Sequence, residues 1–294
     1  MYQNINDMSA PPIYSVADTL LDSSLIAQTN KKLYNVKLIK CGSNFTQIYV
    51  YENSKIKKDN NWESPFYEKH IIDDEYVLYE YKETKEIELK EIRKDNVLRS
   101  KLSLERLIKS NIEHLKTFIT LTFGENVSDI KKANKYYNIW RTRIKKEYPN
   151  FIYICVPEYQ KRGAVHFHLL TNLEINSNIV YKQKNKDNMY DIKYWSKGFS
   201  SAFKITEKDI NIIYYLSKYL TKNIDNRLYG HKRYFYSKNM KIPIIEFLDI
   251  NIYKENLYLE NILKNKSLIY ENKYNQKYTN LEIKFVEYSS IFKQ

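Results

Sequence analysis

Hydrophobic and polar positions follow two periods along the chain, and their alternation sets out the expected elements. From Tyr34 to Ile56 apolar and polar residues alternate, as in Gln47-Ile-Tyr-Val-Tyr51, which predicts strands. Asp59-Asn-Asn-Trp-Glu-Ser-Pro65 is a turn-rich break, and Tyr76-Val-Leu-Tyr79 reads as a further strand. Glu86 to Asn111 is dense in Lys, Glu, Leu and Arg, with apolar residues at helical spacing, so a helix is expected there. At Thr117 the period shortens again. Phe118-Ile-Thr-Leu-Thr-Phe123 mixes β-branched and aromatic residues and stops at Gly124, which predicts a strand. Ser128 is the expected N-cap of a basic amphipathic helix from Asp129 to about Tyr148, with Ala133, Tyr137, Trp140 and Ile144 as its apolar stripe. Pro149 and Asn150 end it, and the strand Phe151-Ile-Tyr-Ile-Cys-Val156 follows. That strand leads into a hairpin: it ends near Glu158, turns through Lys161, Arg162 and Gly163, and returns from Val165 to Leu170.

Asn172 to Tyr194 is a polar excursion whose most hydrophilic part, Lys182-Gln-Lys-Asn-Lys-Asp-Asn188, reads as a solvated loop. Trp195-Ser-Lys-Gly198 turns into a strand, Phe199 to Ile205. Thr206 and Asp209 then fit a capping box, with a shorter acidic side chain, opening a helix from Ile210 to Lys222. Beyond Ile244 the signals weaken; Glu246 to Lys264 reads as one or two helices, and the remainder takes no assignment. Residues 1 to about 30, with Ser9-Ala-Pro-Pro12, read as a weakly ordered lead-in. The chain thus divides into an N-terminal accessory region (1–98), a central segment (99–242) and a C-terminal extension (243–294).

Composition adds a partner class and removes several others. The 294 residues carry a net charge of +13, and the pI is about 9.3, which favours a polyanion, with nucleic acid the default. Lys, Asn, Ile and Tyr are abundant while Gly, Pro and Ala are scarce, as an A+T-rich coding bias also produces. With 29 tyrosines, no single one carries meaning by itself. Cys41 and Cys155 are too few for a disulfide framework or a cysteine-based zinc site, and fit a reducing cytoplasm. The first residues lack a signal peptide's basic start and apolar run, and no apolar run approaches the ~20 residues that span a bilayer. A soluble cytoplasmic protein without a membrane partner is expected.

Two clusters carry candidate chemistry. Side chains on a strand alternate faces, so His166 and His168 project to one side and can close on one small cation. Glu158, across the turn, has the parity to add a carboxylate, and such a donor set suits a divalent metal with open positions. The plainer alternative is a pair of packed histidines. Metal is favoured because the chain has only five histidines, and two share one face of an apolar strand. The second cluster is Tyr215-Leu-Ser-Lys218-Tyr219-Leu-Thr-Lys222. At ~100° per residue, Tyr215, Lys218, Tyr219 and Lys222 share one arc, while Ile212, Ile213, Leu216 and Leu220 form a separate packing face. A phenol ionises only near pH ~10. Lysines beside it favour the phenolate and neutralise a phosphorane, so the arrangement suits transesterification of a phosphodiester. A slightly rotated helix would present Tyr214 in place of Tyr215, and interface aromatics beside solvated lysines are the plain alternative. Gly230-His-Lys-Arg-Tyr-Phe-Tyr-Ser-Lys238 mixes basic and aromatic residues as single-strand binding surfaces do. Lys232, Arg233 and Lys238 there, with Lys161 and Arg162 in the hairpin turn, are candidate DNA contacts. His231 is expected at the surface, and His70 and His114 take no role. No G-x-x-x-x-G-K-[ST] occurs in these residues, so a fused helicase is not expected.

Taken together, these residues resemble a known family. His166-Phe-His168 within apolar residues resembles the His-hydrophobe-His motif of HUH endonucleases. The tandem Tyr-x-x-Lys from Tyr215 to Lys222 resembles the two-tyrosine motif of rolling-circle replication initiators from bacterial phages and plasmids. Phe118 to Phe123 is similar to their first motif, and Trp195-Ser-Lys-Gly-Phe199 falls where they often have a similar turn. The resemblance runs from about Arg99 to Met240. It implies an α+β fold in which a central antiparallel sheet of about five strands carries helices, a circular variant of the RNA-recognition-like fold, with residues 99–242 as the endonuclease domain. It implies Mg²⁺ or Mn²⁺ at His166 and His168, with Glu158 as third ligand and Gln160, of the same parity, as the alternative. Tyr215 and Tyr219 become the nucleophiles, assisted by Lys218 and Lys222. The implied activity is nicking and joining of single-stranded origin DNA in the bacterial cytoplasm, giving a 5′-phosphotyrosine and a free 3′-OH, with a host helicase and DNA polymerase as partners. A mobilisation relaxase or single-strand transposase would use the same chemistry. Such relaxases more often carry a third histidine, where this chain has Leu170, and an N-terminal tyrosine, for which only Tyr2 is available. A noncatalytic basic nucleic-acid-binding protein is the alternative from another class.

Overall fold

The computed structural model describes residues 33–57, 67–73, 76–81, 86–183, 188–206, 209, 211–222, 231–250, 256–275 and 281–291. The lead-in expected over residues 1 to about 30 and the break at Asp59 to Pro65 lie outside them. In chain order the elements are β1 (Leu33–Cys41), β2 (Phe45–Ile56), β3 (Tyr67–Asp73), β4 (Tyr76–Tyr81), α1 (Glu86–Asn111), β5 (Thr117–Phe123), α2 (Ile130–Glu147), β6 (Tyr153–Tyr159), β7 (Val165–Thr171), β8 (Val180–Gln183), β9 (Tyr190–Ile192), β10 (Gly198–Lys204), α3 (Ile212–Lys222), β11 (Phe235–Tyr236), β12 (Ile244–Leu248), α4 (Asn256–Leu263), β13 (Ser267–Asn275) and β14 (Glu282–Ser289). The class is α+β. A seven-stranded sheet has the order β11-β6-β7-β5-β10-β9-β8, a five-stranded sheet the order β12-β1-β2-β14-β13, and β3 pairs with β4. Every pairing is antiparallel.

The first sheet has more strands than the expected five because β8 and β9 come from the polar excursion Asn172 to Tyr194, for which no strand was expected. β8 is exposed along most of its length, so its four residues leave no alternation to read. Two further expectations need correcting. The N-cap of α2 is Asp129, not Ser128: its side chain accepts the Lys131 amide at 2.8 Å. The region from Glu246, expected to be helical, opens with β12, which pairs with β1 in the register Leu38↔Glu246.

β7 sits between β6 and β5, and all seven of its residues are buried. Its two faces meet different partners. Phe167 and Leu169 join Ile119, Leu121, Phe123 and Cys155 beneath the α2 stripe of Ala133, Tyr137, Trp140 and Ile144. On the other face Leu170 joins Phe118, Ile154 and Val156 beneath α3, through Ile212, Ile213, Leu216 and Leu220. Leu104, Leu107 and Ile108 of α1 belong to the same cluster, as do Ile39 and Phe45 of the five-stranded sheet. Parity along β7 therefore turns His166 and His168 toward α3.

Candidate active site

The hairpin register decides which side chains meet. Glu158 on β6 lies opposite His166, and Val156 lies opposite His168. On the other flank Thr120 of β5 lies opposite His168, and Thr122 opposite His166. The turn closes with the Gln160 amide donating to the Ala164 carbonyl at 2.8 Å and with Gly163 at φ 93°, a left-handed conformation that suits glycine. Arg162 clamps this turn onto the sheet. Its Nη2 donates to the Phe123 carbonyl at 2.7 Å and its Nε to Gln160 Oε1 at 2.8 Å.

His168 is held on both ring nitrogens. Its Nε2 lies 2.9 Å from Glu158 Oε2, and its Nδ1 lies 3.2 Å from Thr120 Oγ1. His166 differs: its Nε2 is buried with no hydrogen-bond partner. Burial, with His168 and Arg162 adding to it against the opposing Glu158 carboxylate, lowers the His166 pKa to about 4. At neutral pH this imidazole is therefore uncharged and keeps a lone pair.

The tyrosine face of α3 packs over His168. The Tyr219 ring stacks on His168 at 3.8 Å between centroids and 11° between planes. Its hydroxyl donates to the Tyr215 hydroxyl at 2.7 Å. Tyr215 is 47% exposed and rests its edge against Phe118, 5.5 Å away. Burial, followed by the hydrogen bond to Tyr215, pushes the Tyr219 phenol well above its ordinary pKa. Tyr214 points elsewhere: Lys109 of α1 holds its ammonium 5.5 Å from that ring. Lys218 is exposed on α3; Lys222 closes the helix, and its side chain lies outside the described residues.

The structure thus brings together His166, His168, Glu158, Tyr215 and Tyr219. Gln160, the alternative ligand, is engaged by Arg162. Of the candidate DNA contacts, Lys161 is exposed in the hairpin turn, while Arg162 is committed to the clamp just described. Lys232 and Lys238 are exposed on either side of β11, the edge strand beside β6, and Arg233 is half-buried. Sequence reasoning missed Thr120, whose strand parity was legible but whose pairing with His168 was not.

Among the described residues, no three His, Cys, Asp or Glu side chains converge as a ready set of metal ligands. His168 Nε2 is turned to Glu158 Oε2, so two of the three candidate donors pair with each other. The donor set nonetheless fits a divalent cation in kind: two imidazoles and a carboxylate on one face, one of them neutral with a buried, unpartnered nitrogen.

Residues 116–224 match a family of replication-associated proteins whose description names ORF2. That span holds both histidines, Glu158 and both phenols. Over 128 residues the chain is 32% identical to the Phasyl DNA replicon protein arp of Escherichia coli, a match covering 37% of this chain and 44% of that relative. No solved structure gives a significant match. The central segment is therefore similar to replication-associated proteins, while β1, β2 and β12 to β14 lie outside the family match.

Proposed function

We propose that the chain initiates replication by nicking and rejoining single-stranded DNA at a rolling-circle origin, with the phenols of α3 as nucleophiles. The observation that carries this reading is the stack of Tyr219 on His168 with Tyr215 hydrogen-bonded behind it, inside a segment similar to replication-associated proteins. The two phenols are hydrogen-bonded to each other, and one of them stacks on an imidazole that is itself paired with a carboxylate.

In the proposed step the Tyr215 oxygen, the more exposed of the two, attacks the scissile phosphorus. The phenol gives up its proton, the P–O3′ bond breaks, and the leaving 3′-oxygen takes up a proton. The products are a 5′-phosphotyrosine and a free 3′-OH, from which a host polymerase extends after a host helicase opens the duplex. Tyr219, one helical turn away, is then available to receive a second strand, and the reverse attack by a 3′-OH rejoins the DNA. Lys218 and Lys222 lend positive charge to the phosphorane. Mg²⁺ or Mn²⁺ held by His166, His168 and Glu158 would polarise the scissile phosphate. Thr120, hydrogen-bonded to His168 Nδ1, fixes the orientation of that imidazole ring.

The test is capture of the covalent intermediate. Labelled single-stranded oligonucleotides tiled from the replicon that encodes the chain, incubated with the protein and Mn²⁺, should yield a band of the protein's mass on a denaturing gel. Tyr215→Phe combined with Tyr219→Phe should abolish it. Persistence in the double variant would remove these phenols as nucleophiles; adduct formation by the wild type excludes a role confined to binding.

A further inference from the structure

The five-stranded sheet carries a surface that the nicking reaction does not use. On one of its faces Val36, Leu38, Ile48 and Val286 are covered by Leu259, Ile262 and Leu263 of α4. The other face is occupied at one end by α1. There Arg106 donates to Gln47 Oε1 at 2.8 Å and to the Tyr49 hydroxyl at 2.7 Å, and Lys109 pairs with Glu287 at 2.5 Å. Beyond α1 this face continues as rows of aromatic and basic side chains.

Register places Phe247, Lys37, Tyr49 and Phe285 side by side across four strands. The Lys37 ammonium lies between two of these rings, 5.8 Å from the Phe247 centroid and 6.0 Å from that of Tyr49. Tyr34 adds edge contacts to Phe247 at 4.7 Å and to Tyr51 at 5.6 Å. Lys57 sits 5.5 Å from the Phe247 ring, and Lys55 sits 4.9 Å from Tyr51. Toward the sheet edge Tyr270 and Tyr274 are 50% and 42% exposed. Among the described strand residues of this face the only carboxylate is Glu287, which is already paired with Lys109. An aromatic surface with lysines between its rings and its one carboxylate neutralised complements a ligand with flat apolar faces and a negative backbone.

We propose that this face binds single-stranded DNA, with bases stacking on Tyr51, Phe247 and their neighbours and phosphates meeting Lys37, Lys55 and Lys57. It rests on the nicking reading only for the choice of DNA as the strand bound. A sheet surface of rings spaced by cations takes up single strands with little sequence demand, since every base offers a π-face. The platform would hold the origin strand next to α1, the helix that packs on the tyrosine helix.

The test uses the full chain with Tyr215→Phe and Tyr219→Phe in place, so that no covalent capture contributes, and labelled oligothymidylate read by fluorescence anisotropy over a salt series. Tyr51→Leu and Phe247→Leu keep apolar cover but remove the ring; each should weaken binding about tenfold. Lys37→Gln with Lys57→Gln should flatten the dependence of log K on log salt by about 1.4. Unchanged melting by circular dichroism confirms folding, and the lysine pair serves if a ring variant fails to fold. Unchanged affinity and slope in folded variants would overturn the proposal, as would tighter binding of duplex than of single strand. Separately, with the tyrosines restored, ring variants that bind weakly yet form adduct at saturating DNA support both sites. Wild-type chain that binds through the platform without ever forming adduct keeps this proposal and removes the nicking reading.

Discussion

At the scale of single residues, His166 is the position where stability and chemistry part. A buried nitrogen without a partner costs roughly 1–3 kcal/mol, and His166 Nε2 is such an atom. His166→Leu should therefore raise the melting temperature of the chelator-treated protein while removing adduct formation. Mn²⁺ should raise the melting temperature of the wild type and leave that of the variant unchanged. A lowered melting temperature in chelator would show that the imidazole is satisfied after all. The cysteines make a second residue-scale prediction. Burial pushes the Cys41 thiol up to about 11 and Cys155 higher still, so iodoacetamide should leave both unlabelled in native protein at neutral pH and label both in denaturant. At this scale much was legible in the sequence. Two histidines at strand spacing and two tyrosines at helical spacing name their own faces by parity alone. Thr120 and the Glu105–Ser217 contact were not legible, because a side chain's cross-element partner depends on pairing that no local period encodes.

At the scale of elements, the rotation of α3 decides whether Tyr215 or Tyr214 meets the histidines. Ser217, on the opposite side of the helix from the phenol pair, donates to Glu105 of α1 at 2.7 Å, with both groups buried. Ser217→Ala should leave that carboxylate underbonded, cost roughly 1–3 kcal/mol and slow adduct formation; Ser217→Thr should recover part of the rate. A variant that loses stability but keeps the rate would make Ser217 purely structural. Gly198 fixes the start of β10. It has φ 150°, and an added Cβ would lie 2.2 Å from the Gly124 nitrogen. Gly198→Ala should cost more than about 2 kcal/mol in chemical denaturation. Long elements with strong periods, such as α2 with its buried stripe and β5 with its β-branched core, were readable from the chain. β8 and β13 were not: their side chains are mostly exposed, and a strand without a buried face shows no alternation.

At the scale of the whole molecule, strands from the two flanks of the central segment form one sheet. β2 pairs with β14 through contacts such as Gln47↔Glu287 and Ile48↔Val286, and β1 pairs with β12. Such pairing joins residues more than two hundred positions apart, so composition and periodicity carry no sign of it. A chain ending at Lys241 would leave both edges of the β1–β2 pair open and would uncover Val36, Leu38 and Ile48. It should aggregate on expression, whereas monodisperse behaviour in size exclusion would show that the remaining elements stand without β12 to β14. Among the described residues no helix is long and apolar enough to cross a membrane. The net charge of +13 makes any nucleic-acid affinity strongly salt-dependent.

The tyrosine chemistry is tested most directly by locating the bond it makes. Adduct formed with Mn²⁺ and origin-strand DNA, trimmed with nuclease and digested with protease, should yield by mass spectrometry a peptide from α3 carrying a nucleotide through a 5′-phosphate on Tyr215 or Tyr219. A nucleotide on Tyr214 or on any residue outside α3 would contradict it.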